Sequence, residues 1–248
     1  MITRQFITEL STKNQTSEQN IAREYCQHLF LSYLYKRNGT EKMLFKGGTA
    51  LRIIFKSPRF SEDLDFSAYN ISIPEINQLV DEILKDINKE GIQTEKKVNP
   101  GTDGETSGGY FTVVNLKLME FDSEIKVQVS LRPREQIINN IALIENDFIP
   151  PYTIVYLEER LLVGEKVQAL LERAKPRDFF DLYFMLRHRE LVKFIPKDIE
   201  NLKVKLLNVL QNGWEKELKL FLPVSYQTLI KDFQERLKKE IDLHIAEN

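Results

Sequence analysis

Two short segments constrain this chain more than any other feature. The first is Phe45-Lys46-Gly47-Gly48-Thr49-Ala50-Leu51-Arg52, and the second, close behind it, is Arg59-Phe60-Ser61-Glu62-Asp63-Leu64-Asp65-Phe66. Met43-Leu44-Phe45 reads as a buried strand running into the glycine pair, 49–55 as one or two helical turns, and Leu64-Asp65-Phe66 as a second strand after the break at Pro58. Strand, glycine turn, helix, strand is a compact way to aim a turn and two carboxylates at one place. Glycines let backbone N–H groups approach phosphate oxygens, and a helix N-terminus favours anions. On an extended segment Asp63 and Asp65 project to one face and Leu64 to the other, so the two acids can bind metal together. A lone Asp-x-Asp is common as a polar strand edge, and a glycine pair is common as a plain turn. Their order and proximity are what point to a nucleoside triphosphate and its magnesium. Arg52 is placed to reach a phosphate or an acid such as Glu62.

The rest of the chain falls into two halves. Residues 1–15 are polar and expected to be poorly fixed, apart from an apolar anchor at Phe6, Ile7 and Leu10. Ser17 reads as the N-cap of a helix with Ile21, Tyr25 and Leu29 on its apolar side, and Gly39 suits its end. The pattern over 72–91, with Pro74 in the first turn and Gly91 at the end, predicts the clearest helix. A strand is expected over 92–98, and a glycine-rich loop over 99–109. Alternation over 110–119 and 124–131 predicts two strands joined by a turn at Glu120-Phe121-Asp122-Ser123. Composition shifts at Pro150-Pro151, beyond which the pattern reads as helices only: 157–174, then 177–188 after Pro176, then around 197–211 and 226–245. The expected architecture is therefore α+β, with a mixed sheet and flanking helices over 1–150 and a helical domain over 151–248.

Composition excludes several classes. A chain of 248 residues with 42% hydrophobic content can bury a sizeable core, and a net charge of −2 carries no global signal for nucleic acid. The single cysteine, Cys26, excludes an intrachain disulfide and reads as a packed thiol. Three scattered histidines, His28, His188 and His244, with that one cysteine speak against a zinc site. Neither a signal peptide nor a membrane-spanning run is visible, so the expected address is the cytoplasm.

The helical half carries a third set of chemical groups. Lys166 lies in Gly164-Glu165-Lys166-Val167-Gln168-Ala169-Leu170, and Arg173 shares its helix face. Arg177-Asp178-Phe179-Phe180-Asp181-Leu182-Tyr183 opens the next helix, with Asp178 and Asp181 neighbours on one face. Each has an ordinary alternative: a solvated lysine, and acids favoured in a first helical turn, with Asp178 the more cap-like. Lys166, Arg173, Lys175 and Arg177 form a basic cluster that can meet nucleic-acid phosphates or simply be a solvated face.

Together the four stretches resemble the AbiEii/AbiGii family of nucleotidyltransferase toxins. The first two are shared with the wider DNA polymerase β-like nucleotidyltransferase superfamily, and the last two are more particular to the toxins. The resemblance runs from the first helix to about residue 190. It implies a nucleotidyltransferase-like α/β domain packed on a helical domain, with the active site in the groove between them. It further implies a toxin of a toxin–antitoxin or phage abortive-infection system, countered by an antitoxin encoded nearby. The implied reaction moves NMP from an NTP to an acceptor hydroxyl, above all the tRNA 3′ end, with Mg2+ or Mn2+ as cofactor, and so blocks translation. Carried over by motif, Asp63, Asp65, Lys166 and Asp181 would be catalytic, and Asp63 and Asp65 would hold the metal. Gly47, Gly48, Thr49 and Lys166 would bind the nucleotide, with Ser61 and Arg52 as further phosphate contacts. The expected state is a monomer with no membrane partner. The alternatives are a nucleotidyltransferase acting on a small molecule or a protein, and a nucleotide-binding regulator without turnover.

One departure stands out. The wider superfamily has a third carboxylate on a later strand, where this chain offers Gln128. Either Glu124 on the same face supplies the acid, or the strand is aligned differently, or two carboxylates suffice.

Overall fold

The computed structural model of the protein describes residues 2–97, 109–132, 138–197, 199 and 214–246. The chain divides into two compact units, one formed by Met1–Lys56 with Phe60–Leu157 and the other by Ser57–Arg59 with Glu158–Asn248. The elements are α+β, with a seven-stranded mixed sheet in the first unit.

In the first unit, helices α1 (Arg4–Asn14) and α2 (Glu18–Tyr35) precede β1 (Met43–Lys46), α3 (Gly47–Ile53) and β2 (Leu64–Ala68). Then come α4 (Ile73–Lys89), β3 (Gln93–Lys97), β4 (Tyr110–Leu118), β5 (Phe121–Leu131), β6 (Asn139–Ile144) and β7 (Tyr152–Leu157). The strand order is β3-β4-β5-β2-β1-β7-β6. Strands β2 and β5 are parallel, as are β1 and β7, and the other pairs are antiparallel. The two strands named by the sequence motifs, β1 and β2, are thus paired near the centre of the sheet. Their register sets Phe45 opposite Phe66, and these two fully buried rings pack at 5.5 Å between centroids.

Alternation on β5 buries Phe121, Ser123, Ile125, Val127 and Val129 and exposes Asp122, Glu124, Lys126 and Gln128. One face of the sheet is therefore covered, by α2 against β5 and β7 and by α4 against β3 and β4, and the other is polar. Helix α4 follows its sequence signals closely: Ser72 and Glu75 form a reciprocal capping box, and Ile76, Val80, Ile83, Leu84 and Ile87 make the buried stripe.

Three local expectations change in the first unit. Residues 4–14 are a regular helix, because the Thr3 hydroxyl caps it, Ile7 and Leu10 are buried, and Arg4 makes two 2.7 Å bonds to Glu18. The β4–β5 turn is tighter than expected. Leu118 pairs with Phe121, leaving Met119-Glu120 as the turn, with Met119 left-handed at φ 54°. The chain beyond Pro151 is not helical at once, because Tyr152, Ile154 and Tyr156 alternate inward as β7 and Phe45 pairs with Tyr156. The loop expected over 99–109 and the helix around 197–211 lie almost wholly outside the described residues.

The second unit holds α5 (Glu159–Arg173), α6 (Pro176–Leu186), α7 (Trp214–Phe221), α8 (Gln227–Lys231) and α9 (Phe233–Ala246). Phe180, Tyr183, Trp214 and Phe233 form its aromatic core. The span expected as one helix over 226–245 is two, broken at Asp232.

Candidate active site

The glycine turn and the carboxylates meet inside the first unit. Gly47 opens α3 at φ 83°, a left-handed conformation that residues with a side chain rarely adopt. A Cβ there would collide with Asp65 Oδ2 and lie 2.9 Å from Asp65 Cβ and Cγ. The bare α-carbon of Gly47 is therefore what lets the Asp65 carboxylate sit against the turn. Lys46, the N-cap, supplies no side-chain capping bond, so the first N–H groups of α3 are not taken by its side chain. Thr49 is fully buried, and its hydroxyl donates to the Asp63 carbonyl. The Thr49 side chain ties the turn to the carboxylate segment.

Asp63 and Asp65 are half-exposed on either side of buried Leu64. Among the described residues, no group of three or more His, Cys, Asp or Glu is arranged to hold a metal ion. The sheet register gives the reason. Asp65 pairs with Gln128 on the parallel strand β5, so an amide stands where a third carboxylate would be. Glu124 does not replace it. It lies four residues back along β5 and accepts from Lys97 Nζ at 3.0 Å. The two remaining carboxylates fit a hard ion of the magnesium type, which keeps much of its water and is held by one or two carboxylates plus substrate phosphates.

Other expected contacts are engaged elsewhere. Arg52 donates from Nε to Glu24 Oε1 at 2.6 Å and from Nη2 to Glu24 Oε2 at 3.2 Å, and its guanidinium lies 3.9 Å over the Phe60 ring. Its acid is Glu24 and not Glu62, which instead lies 3.4 Å from Arg23. Arg52 thereby locks α2, α3 and the segment before β2 together. Ser61 contributes through its backbone: buried Gln27 donates to the Ser61 and Glu62 carbonyls at 3.0 and 3.1 Å. Glu24 and Gln27 escape a reading of the sequence by motif. The available signal is a polar stripe, Asn20, Glu24 and Gln27, at helical spacing on a helix that is otherwise apolar and buried.

In the second unit, Lys166 and Asp181 do meet. Lys166 Nζ donates to Asp181 Oδ2 at 2.8 Å. A third member joins them, Arg59, the first residue of the second motif, to which the sequence reading gives no role. Arg59 donates to Asp181 Oδ1 and Oδ2 at 2.9 Å each. Side-chain exposure is 1% for Asp181, 4% for Arg59 and 11% for Lys166. Burial by itself would raise the Asp181 pKa, but the Arg59 and Lys166 charges outweigh it and hold the carboxyl below its ordinary value. Asp178 takes the structural option. It accepts from Arg173 at 2.7 and 2.8 Å and from the Lys175 backbone N–H at 3.2 Å. Arg177 lies 4.0 Å from Glu217. Of the expected basic cluster, Lys166, Arg173 and Arg177 thus each have a carboxylate neighbour.

A family model described as the nucleotidyl transferase AbiEii toxin of a type IV toxin–antitoxin system matches residues 29–241. The chain belongs to the AbiEii family. It is accordingly a nucleotidyltransferase, with an NTP as substrate and an antitoxin as the counterpart of the toxin. Two solved structures share its fold. MenT4, a nucleotidyltransferase toxin from Mycobacterium tuberculosis H37Rv, superposes at TM-score 0.65 with 17% identity, covering 99% of this chain and 90% of its own. JHP933 from Helicobacter pylori superposes at 0.57 with 20% identity, covering 94% of each chain. No curated protein matches the chain. Among the described residues, no helix is long and apolar enough to cross a membrane. Cys26 is buried and its thiol is pushed up to about 12 by that burial, in keeping with a packed side chain.

Proposed function

We propose that this AbiEii protein transfers a nucleoside monophosphate from an NTP to the 3′-terminal hydroxyl of a tRNA and thereby blocks translation. The observation that carries the reading is the fit of Gly47 against the Asp65 carboxylate, which makes one site of the turn and the acids. In the reaction the acceptor oxygen bonds to the α-phosphorus, the α–β phosphoanhydride bond breaks, and pyrophosphate leaves as the hydroxyl loses its proton. Asp63 and Asp65 would hold a divalent ion, Mg2+ or Mn2+, which would supply neutralisation of the triphosphate and of the charge that develops on the leaving group. The start of α3 offers N–H groups to phosphate oxygens. Lys166 supplies a fixed positive charge for the triphosphate, and Asp181 orients it. Thr49 and Arg52 hold the frame of the site, and the Ser61 carbonyl anchors the loop before β2.

Support for tRNA as acceptor comes from family membership and the motif resemblance. The direct test incubates the protein with each of the four α-labelled NTPs, Mg2+ and total tRNA. Label is expected at the tRNA 3′ end, with loss on periodate oxidation of that end beforehand. Label on protein or on a small molecule would replace the acceptor, and NTP binding without any transfer would leave a regulator.

A further inference from the structure

We infer that Arg59 is a positioning residue for the transfer reaction: it takes up most of the Asp181 charge and so leaves the Lys166 ammonium in excess, while Asp181 still fixes where that ammonium sits. The inference rests on the assignment of Lys166 to the triphosphate.

The contacts of the three groups carry it. Asp181 has one negative charge and two cations on it. Arg59 engages both oxygens, with a closest approach of 2.8 Å from Nη2 to Oδ1, whereas Lys166 touches only Oδ2, at 2.8 Å. A guanidinium is charged at any working pH and matches a carboxylate as a planar fork, so it is the stronger claimant. A simple buried ion pair would need only Lys166 and Asp181. A second buried cation adds a desolvation cost that a purely structural pair would not require. What it contributes is charge: Lys166, the more exposed of the two cations, is held in place without being neutralised. Asp181, sealed from solvent, is likewise a positioning residue. Arg59 lies only a few residues before Asp63 in the chain, yet it belongs to the second unit, because the segment Ser57–Arg59 groups with the helices.

The experiment compares full-length wild type, R59Q, R59K, D181N and R59Q/D181N for binding of a non-reacting NTP analogue, with KM and kcat for labelled NTP alongside. In R59Q, Asp181 is left wholly to Lys166, and analogue affinity is expected to fall roughly tenfold, with KM moving more than kcat. R59K is expected to stay within a few-fold of wild type. Removing the carboxylate as well frees the ammonium, so R59Q/D181N is expected to regain most of the affinity that R59Q loses. Recovery by a second deletion is not what a merely structural role of Arg59 produces. The inference is overturned if R59Q binds the analogue as wild type does, or if R59Q/D181N binds no better than R59Q while the two melt at similar temperatures. Should R59Q fail to fold, D181N decides: a lowered kcat with analogue affinity within a few-fold of wild type supports the inference, because the ammonium keeps its charge and loses its fixed position, and a large loss of affinity overturns it. Wild-type protein that binds no analogue would instead overturn the assignment of the triphosphate, a result distinguishable from failure of the Arg59 role.

Discussion

Asp65 and Asp181 are both aspartates of recognised motifs, and their surroundings are opposite. Asp65 is half-exposed on the polar face of a sheet, beside a glycine whose missing side chain makes room for its carboxylate. Asp181 is sealed and already carries two cations of the protein's own. An exposed carboxylate keeps most of its hydration and exchanges it readily for a metal ion. A buried one must be compensated permanently, because an uncompensated charge at low dielectric costs several kcal/mol. On the proposed function the two units do different work with the same side chain: the first would offer acids to an incoming cation, and the second uses an acid to place cations.

That contrast can be broken most sharply by activity. Asp65→Asn is expected to lower kcat on the order of a thousandfold while leaving the melting temperature close to wild type, measured by label transfer and thermal denaturation. An active Asp65→Asn protein would remove Asp65 from the chemistry. Stability provides the converse. Asp181→Ala strands buried Arg59 and is expected to cost about 3–5 kcal/mol in denaturant unfolding, followed through Trp214, the chain's single tryptophan, whereas Asp63→Ala should stay within about 0.5 kcal/mol. Equal losses at the two positions would erase the distinction between presented and compensated acids.

Gly47→Ala tests the junction of turn and carboxylate. Backbone strain at positive φ is expected to cost about 1–3 kcal/mol, and displacement of Asp65 should lower activity further than that loss of stability accounts for.

Acid pH separates the units by window, with the same sign in both: each contribution is lost as pH falls. Burial first, then the charges of Lys56 and Arg52, pushes His28 down to about 3, and its Nδ1 lies 2.8 Å from the Tyr152 hydroxyl. Its folded value lies below the unfolded value of about 6.5, so the contribution of His28 is complete above that pH and declines as pH falls toward 3. The slope is about 1.4 kcal/mol per pH unit within the window, and His28→Gln should flatten it. Asp181 also has a lowered value, so its contribution is complete above the ordinary carboxyl range and is lost only as pH falls below about 4. Stability measured against pH in His28→Gln and in Asp181→Asn should lose these two separate parts.

The smallest expected effect is at Gln128. Gln128→Asp places a carboxylate opposite Asp65 and should lower the Mg2+ concentration needed for half-maximal activity by a few-fold, with kcat little changed. A collapse of activity would mean that the amide itself has a role.

Much of this molecule is legible in its sequence. The strand, glycine turn, helix and strand over 43–66 follow from local rules: glycine where φ must be positive, alternation where one face is buried, a proline where the helix must stop. The same holds for α4 with its capping box. Residues just beyond Pro151 mislead, because Tyr152–Leu157 gives one brief alternation after a diproline, and only pairing with β1 and β6 makes it a strand. Which acid Arg52 meets, and that Arg59 reaches Asp181, are not legible, since partners far apart in sequence leave no local pattern.

By itself, then, the sequence determined the residue types of the glycine turn and of the two neighbouring carboxylates, because these are written in local spacing, while Lys166 and Asp181 were marked only by their motifs. Only the tertiary structure decided which charges are already compensated. It gave Thr49 the Asp63 carbonyl and Arg52 the Glu24 carboxylate as partners, set Gln128 opposite Asp65, and gave Asp181 a second cation in Arg59. Compensation depends on burial and on distances across the fold, and neither is a property of neighbouring letters.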